Sequence, residues 1–230
     1  MELCVALDLP TADENLHLAQ SLATFDSLWL KVGFRSYIRD GRSLIEAIKA
    51  INPNFKLFLD LKLYDIPNTM ADAAETIADL GVDMFNIHAS AGPHAMQAVM
   101  ERLSRTGGRP LVLAVTALTS FDHATFETIY GDTIDDKAEA FARMSYENGL
   151  DGVVCSVHES RAIKSATSDT FLTLTPGIRP FGEDAGDQRR VATLEAAREA
   201  QVDFPVIGRP IYQDPDPAAK VARILEHLKK

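Results

Sequence analysis

The chain is poor in the features that mark several common classes of function. Its 230 residues contain two cysteines, Cys4 and Cys155, each inside a strand-like run, LCVALDL and GVVCSV. Two buried, reduced thiols are the expectation, since a disulfide would need an oxidising compartment. No apolar run approaches the roughly 20 residues that span a bilayer, so no membrane anchor is expected. Glu2 and Asp8 interrupt the opening residues and no long apolar segment follows them, so no secretory signal is read and a cytoplasmic protein is expected. Positive charge is scarce as well: Lys and Arg number 23 against 33 Asp and Glu, a formal net charge of -10. That balance argues against a general nucleic-acid surface but leaves room for a small anionic substrate, because a local group of cations overrides the net field. His17, His94, His123, His158 and His227 show no zinc-like spacing, and His88 reads as a hydrogen-bonded histidine at a strand end. No Pro- or Ser-rich linker divides the chain and no sequence repeat stands out, so residues 1–230 are read as one domain.

What is abundant is short apolar runs. Eight of them recur at regular intervals: residues 3–9, 28–33, 56–63, 82–88, 110–118, 152–157, 171–178 and 204–208. Helical patterns fill the gaps, among them ADENLHLAQSLATF, GRSLIEAIKAI, TMADAAETIADLG, PHAMQAVMERLSR, DDKAEAFARMSYENGL and DQRRVATLEAAREAQ. The last, PDPAAKVARILEHLKK, carries Val221, Ile224, Leu225 and Leu228 at helical spacing, a core-facing stripe. Gly81 and Gly149 are placed to close helices in the left-handed conformation, and Asp122 and Asp135 to cap them. Eight strand–helix units predict a parallel sheet closed into an α/β (β/α)8 TIM barrel. In that architecture function gathers at the C-terminal ends of the strands. The polar residues found there are Asp8, Lys31, Asp60, Lys62, Asp65, His88, Thr119, Arg179, Gln188 and Arg209.

The third run is the most unusual. FLDLKLYDIPNT begins as an apolar strand and then places Asp60 and Lys62 two residues apart, with Asp65 beyond. Strand alternation gives Asp60 and Lys62 one face and Leu59, Leu61 and Leu63 the other. With Lys31 from the neighbouring strand, the expected result is a cluster of two lysines and two aspartates at the barrel mouth. A structural ion-pair network is the plain alternative, but desolvation makes buried pairs poor stabilisers, so a cluster in a pocket is a functional candidate. Flanking carboxylates favour the ammonium form of Lys62, which suits a proton donor better than a Schiff-base nucleophile.

A second candidate region closes the barrel. TPGIRPFGEDAGDQRR follows the seventh strand and GRPIY the eighth, where barrels of this kind often bind phosphate. Arg209 can grip an oxyanion with two parallel bonds, Gln188 can donate through its amide, and Gly208 lets a backbone N–H approach closely. The loop between Pro176 and Gln188 has the composition of a lid, while Arg189 and Arg190 read as helix-surface residues. A solvated Gly-rich loop with incidental arginines is the alternative.

These residues carry a resemblance. DLKLYDIPNT resembles the Asp-x-Lys-x-x-Asp-Ile-Pro-x-Thr signature of the orotidine 5'-phosphate decarboxylase family, and VALDLP, LKVG, ALTS, PGIRP and GRPI extend the likeness over nearly the whole chain in the same order. The length resembles the free-standing bacterial form. The resemblance implies decarboxylation of orotidine 5'-phosphate to UMP and CO2, the last step of de novo pyrimidine nucleotide synthesis, with neither metal nor organic cofactor. It implies that Lys62 protonates C6 of the pyrimidine, that Asp60 lies near the departing CO2, and that Lys31 and Asp8 grip the ribose hydroxyls. It further implies that Thr119 lies along the pyrimidine edge, and that Arg179, Gln188, Gly208 and Arg209 serve the phosphate and the closing loop. Asp65 and Thr69 resemble the pair that reaches into the partner's active site, which implies a homodimer.

Two rival readings remain beside this one. A sugar-phosphate decarboxylase or aldol-type synthase shares Asp-x-Lys-x-x-Asp but uses Mg²⁺, and should show a further acidic ligand near Asp60. A catalytically silent phosphate-binding barrel would keep the late arginine while losing the charge cluster.

Overall fold

A computed structural model describes residues 1–184 and 190–229. Eight parallel strands close into a barrel in chain order. They are β1 (Cys4–Leu7), β2 (Trp29–Gly33), β3 (Lys56–Leu63), β4 (Met84–His88), β5 (Leu111–Val115), β6 (Gly152–Val154), β7 (Leu172–Thr175) and β8 (Phe204–Ile207). The closure is made by β1 against β8, with Cys4 opposite Val206 and Val5 opposite Ile207. Outside lie α1 (Ala12–Ser21), α2 (Phe34–Ile51), α3 (Pro67–Ala78), α4 (Pro93–Leu103), α5 (His123–Tyr130), α6 (Ile134–Glu147), α7 (Val157–Ala166), α8 (Leu194–Glu199), α9 (Arg209–Tyr212) and α10 (Pro217–Leu228). Among the described residues no helix is long and apolar enough to cross a membrane. Cys4 and Cys155 are both buried and free.

Alternation along the strands builds two cores. Outward residues such as Val5, Leu7, Leu30, Val32, Leu57 and Leu59 pack against the helices, and α10 contributes buried Val221 and Ile224 with Leu225 and Leu228 beside them. Inward residues fill the barrel: Cys4, Ala6, Trp29, Phe58, Met84, Leu113, Val115, Val154, Leu174, Phe204 and Val206. Each fully buried large side chain of this kind stabilises by about 1.5–3 kcal/mol. The same period of two carries the next inward position of β1, β2 and β3 to Asp8, Lys31 and Asp60. The apolar stack therefore stops one layer short of the C-terminal rim, and charge takes over.

The opposite rim contains a short device that recurs. The entries to β4, β6 and β8 read Gly81-Val82-Asp83, Gly149-Leu150-Asp151 and Gln201-Val202-Asp203, with φ of 71°, 79° and 59° at the first residue. In each, the aspartate side chain accepts the N–H of the second residue of the preceding strand: Leu57, Val112 or Thr173, at 2.8–2.9 Å. Cations from Lys49 and Lys56, Arg109, and Lys164 complete the three sites. Three residues are too short a pattern to register as a repeat in the sequence, yet they pin alternate strands the same way.

Local expectations are corrected in four places. Asp122 caps α5 by accepting from Thr125 N–H, but α6 is capped by Thr133, and Asp135 sits in its first turn where its charge favours the helix N-terminus. The expected helix over 187–201, of which 187–189 lie outside the described residues, is seen within 190–201 only as α8, because Ala192 pairs with Ile178 in a bridge and Thr193 caps the chain only after it. Arg190 is no helix-surface residue, since its guanidinium is largely buried against Glu159. α2 begins earlier than GRSLIEAIKAI and is broken at Gly41, whose φ of 59° and ψ of -143° interrupt the helix.

Candidate active site

A cavity of about 410 Å³ opens at the C-terminal rim. Phe58, Val115, Val154, Leu174 and Val206 form its apolar floor, and Asp8, Lys31, Asp60, Lys62, Thr119, Arg179, Gly208 and Arg209 contribute to its walls. Both candidate regions of the sequence thus meet in one space.

Charges of alternating sign run along one side of it. Lys31 Nζ lies 3.0 Å from Asp8 Oδ1 and 3.4 Å from Asp60 Oδ2, and Lys62 Nζ lies 2.5 Å from Asp60 Oδ1. Burial opposes charge on Asp60, but Lys31 and Lys62 outweigh it and hold the carboxyl below its usual value. Burial likewise opposes charge on Lys31, and the Asp60 and Asp8 carboxylates reverse the effect and raise its pKa. Lys31 and Asp60 are therefore a committed ion pair. Gly33 belongs to the same arrangement, because a Cβ there would stand 2.8 Å from Asp8 Oδ1 and 3.0 Å from Lys31 Nζ. Arg35 donates to the Asp8 carbonyl.

The fourth member of the cluster is Asp8, not Asp65. Asp65 lies beyond the strand in an exposed segment, where its carboxylate accepts from Ile66 N–H at 2.7 Å. Neither Asp65 nor Thr69 lines the cavity of its own chain. Both sit in an exposed stretch that also presents Tyr64 and Ile66, and β2 leads into two more exposed apolar residues, Phe34 and Ile38.

Regular alternation is not what aims Lys62. Its φ is +55°, left-handed for a residue with a side chain, and the β3–β4 register slips from Leu59 opposite Phe85 to Leu63 opposite Ile87. Between these pairs, three residues of β3 (Asp60, Leu61 and Lys62) thus stand opposite one of β4, Asn86. The left-handed conformation costs about 1–2 kcal/mol. Asn86, fully buried on β4, fills the irregularity. Its Oδ1 accepts the Lys62 N–H at 2.7 Å and its Nδ2 donates to Asp60 Oδ1 at 2.8 Å. Asn86 is not among the residues that the sequence singles out. Its only signal is an amide in the apolar run MFNIH, where a buried polar group demands a partner.

At the other end, Arg179 is buried, donating through Nε to the Asp184 carbonyl at 2.7 Å and through Nη1 to the Ile178 carbonyl at 3.1 Å. Gly208 and Arg209 lead from β8 into α9. A Cβ on Gly208 would meet Ala6 at 3.3 Å, so the backbone approaches β1 closely there. Gln188 and Arg189 lie outside the described residues. His88 sits at the rim, half-buried, accepting Ser90 N–H at 3.2 Å and stacking on Tyr64. Burial, with a smaller contribution from Lys62, lowers its pKa. Among the described residues, no three His, Cys, Asp or Glu side chains are arranged to share a metal ion.

Comparison with known proteins gives a concordant result. The model of the family described as orotidine 5'-phosphate decarboxylase / HUMPS matches residues 1–224. A curated orotidine 5'-phosphate decarboxylase of a Sulfurovum species is 74% identical over 226 residues, covering 98% of each chain. Another, from a Nitratiruptor species, is 66% identical and covers 99% of this chain and 100% of its own. Among solved structures, orotidine 5'-phosphate decarboxylase from Lactobacillus acidophilus superposes with a TM-score of 0.86 at 30% identity, covering 100% of this chain and 99% of that one.

Proposed function

The chain belongs to the orotidine 5'-phosphate decarboxylase / HUMPS family, and on that premise we propose that it converts orotidine 5'-phosphate to UMP and CO2 in pyrimidine nucleotide synthesis. The observation that carries the proposal is the joining of the Asp8–Lys31–Asp60–Lys62 chain and the two arginines, Arg179 and Arg209, in one cavity. The substrate has a matching outline: an anionic phosphate at one end and a carboxylate on a pyrimidine ring at the other.

In this reading the bond between C6 and the carboxylate breaks heterolytically and its electron pair stays on C6. An sp² carbanion so placed has little resonance stabilisation. The Lys62 ammonium lies beside it, stabilises the charge as it forms, and then gives C6 a proton. Lys62 regains that proton from solvent, so the net reaction consumes one proton per CO2 released. Asp60 holds Lys62 from one side and Lys31 from the other. Lys31 and Asp8 take the ribose hydroxyls and Thr119 the pyrimidine edge. Arg179, Arg209 and the backbone at Gly208 take the phosphate, with Gln188 assigned to the same end. Binding energy from the phosphate, remote from the reacting bond, then supports the chemistry at C6. The chemistry proposed here draws on side chains alone, with no metal or organic cofactor.

The proposed working unit is a cytoplasmic homodimer of single-domain chains, in which Asp65 and Thr69 complete the partner's site. The exposed apolar group of Phe34, Ile38, Tyr64 and Ile66 beside them supports that reading, as such patches mark association surfaces. Purified protein incubated with orotidine 5'-phosphate should release CO2 and form UMP in equal amounts. Absence of both would reject the assignment.

A further inference from the structure

Beside the cavity lies a buried charged pair that the chemistry above does not use. Glu159, on the first turn of α7, accepts the Ser156 N–H at 2.9 Å through Oε2 and pairs through Oε1 with Arg190 Nη1. The second arm of the guanidinium, Nη2, reaches toward the Leu118 carbonyl at 3.5 Å. Neither Glu159 nor Arg190 lines the cavity, yet each of their attachments leads to residues that do. Ser156 follows Cys155 at the exit of β6, and Leu118 precedes Thr119 after β5. Two residues beyond Arg190, Ala192 donates to Gly177 O at 3.1 Å and accepts from Arg179 N at 2.8 Å. The pair thus joins three of the loops that surround the site.

A buried ion pair is a poor source of stability. The desolvation of both charges offsets most of their attraction, and apolar or neutral replacements of similar volume are often equally stable. Burial also pushes the Glu159 carboxyl up, against the opposing influence of Arg190, so the charged pair is held at a cost. What it provides that a neutral pair cannot is fixed geometry: a guanidinium fork with two arms in two directions.

We propose that Glu159 and Arg190 are positioning residues, setting the loop that bears Thr119 and the strand exit that bears Arg179 at the separation the substrate requires. The inference rests on the decarboxylase reading above. The perturbation is the double variant Glu159→Gln/Arg190→Met, which keeps an acceptor for Ser156 N–H and leaves no unpaired charge buried. Its Tm should stay within about 3 °C of the parent, while KM for orotidine 5'-phosphate and Kd for UMP rise roughly tenfold and kcat changes little, the pattern of lost uniform binding. A KM unchanged from wild type would overturn the inference. If the double variant does not fold, Arg190→Lys decides. It keeps one charge for Glu159 and loses the second arm, so several-fold weaker UMP binding at unchanged Tm supports the inference, and wild-type affinity overturns it. Wild-type protein assayed alongside separates the two readings. If it turns over and the variants match it, the positioning role alone fails. If it releases no CO2, the reaction assignment fails and this inference with it.

Discussion

Replacing Asp60 with asparagine tests the electrostatic account of the site directly. The shape of the side chain and an acceptor oxygen are preserved, and only the charge is removed. At an effective dielectric of about 20, two unit charges 3.4 Å apart, the separation of Lys31 from Asp60, attract by about 5 kcal/mol. That is a gross figure, and desolvation of the buried carboxylate cancels part of it. The Lys62 side adds little, because its side chain is 35% exposed and solvent screens the pair to at most about 1 kcal/mol. Breaking one partner of a buried pair costs about 3–5 kcal/mol, and because Lys31 here retains Asp8 at 3.0 Å the cost falls at or just below the low end of that range. A loss of about 2–3 kcal/mol, at 2–4 °C per kcal/mol for a chain of this size, lowers Tm by roughly 4–12 °C.

The pH dependence supplies the sharper test. The folded-state pKa of Asp60 lies below its unfolded value, so the carboxylate stabilises the fold above the unfolded pKa, near 4. That contribution is lost as pH falls through the folded value. The Tm gap between wild type and Asp60→Asn should therefore be full at pH 7, begin to narrow below about pH 4 and close on further acidification. Differential scanning calorimetry of both proteins from pH 7 to pH 3 measures it. A gap below 2 °C at pH 7, or one that does not change with pH, would refute the reasoning.

Lys62→Ala should lose CO2 release while UMP still binds by calorimetry; more than a small residual fraction of activity removes Lys62 as the proton donor. Arg209→Ala should weaken orotidine 5'-phosphate markedly and a phosphate-free fragment hardly at all, whereas equal losses on both would mark Arg209 as structural. Exhaustive dialysis against EDTA should leave turnover intact, and restoration by Mg²⁺ after a loss would favour the sugar-phosphate chemistry of related barrels. On the proposed shared-site dimer, Lys62→Ala and Asp65→Asn proteins should each be nearly inactive alone and should recover about a quarter of sites when co-refolded in equal amounts, because half the dimers would be mixed and one site in each would be intact. Subunit exchange proven by mass with no return of activity would place Asp65 outside the partner's site.

The barrel is legible because its signal is redundant. Eight apolar runs, each followed by a helical pattern, fix the parallel topology even where an individual boundary is off by several residues. The errors fall where a tertiary contact competes with a local preference. DQRRVATLEAAREAQ has helical composition throughout, but Ala192 bonds to both Gly177 and Arg179 across the β7 exit, and from residue 190 onward the helix begins only at Leu194. Asp135 has the chemistry of a cap, but Thr133 reaches the Asp136 N–H first.

The site divides along the same line. Asp8, Lys31 and Asp60 can be read because each is the next inward step of a strand whose earlier inward residues are apolar. Arg179, Gly208 and Arg209 can be read because strand exits seven and eight are adjacent in any closed barrel. Nearness in sequence groups Asp65 with the cluster, but the chain carries it away from the cavity within a few residues. The partners of the remaining polar groups are distant: Asn86 meets Lys62 across 24 residues and Arg190 meets Glu159 across 31. Nor does the bulge announce itself, since no glycine marks the left-handed position at Lys62. A regular strand would have kept the Lys62 N–H in the β4 ladder. Instead Asn86 takes that N–H with one side of its amide and Asp60 with the other, so the distortion of β3 and the placement of the Lys62–Asp60 pair are set by the same side chain. Asn86→Ala removes both bonds at once. It should therefore disturb the aim of Lys62 as well as the strand, lowering turnover by more than the accompanying loss of stability would remove.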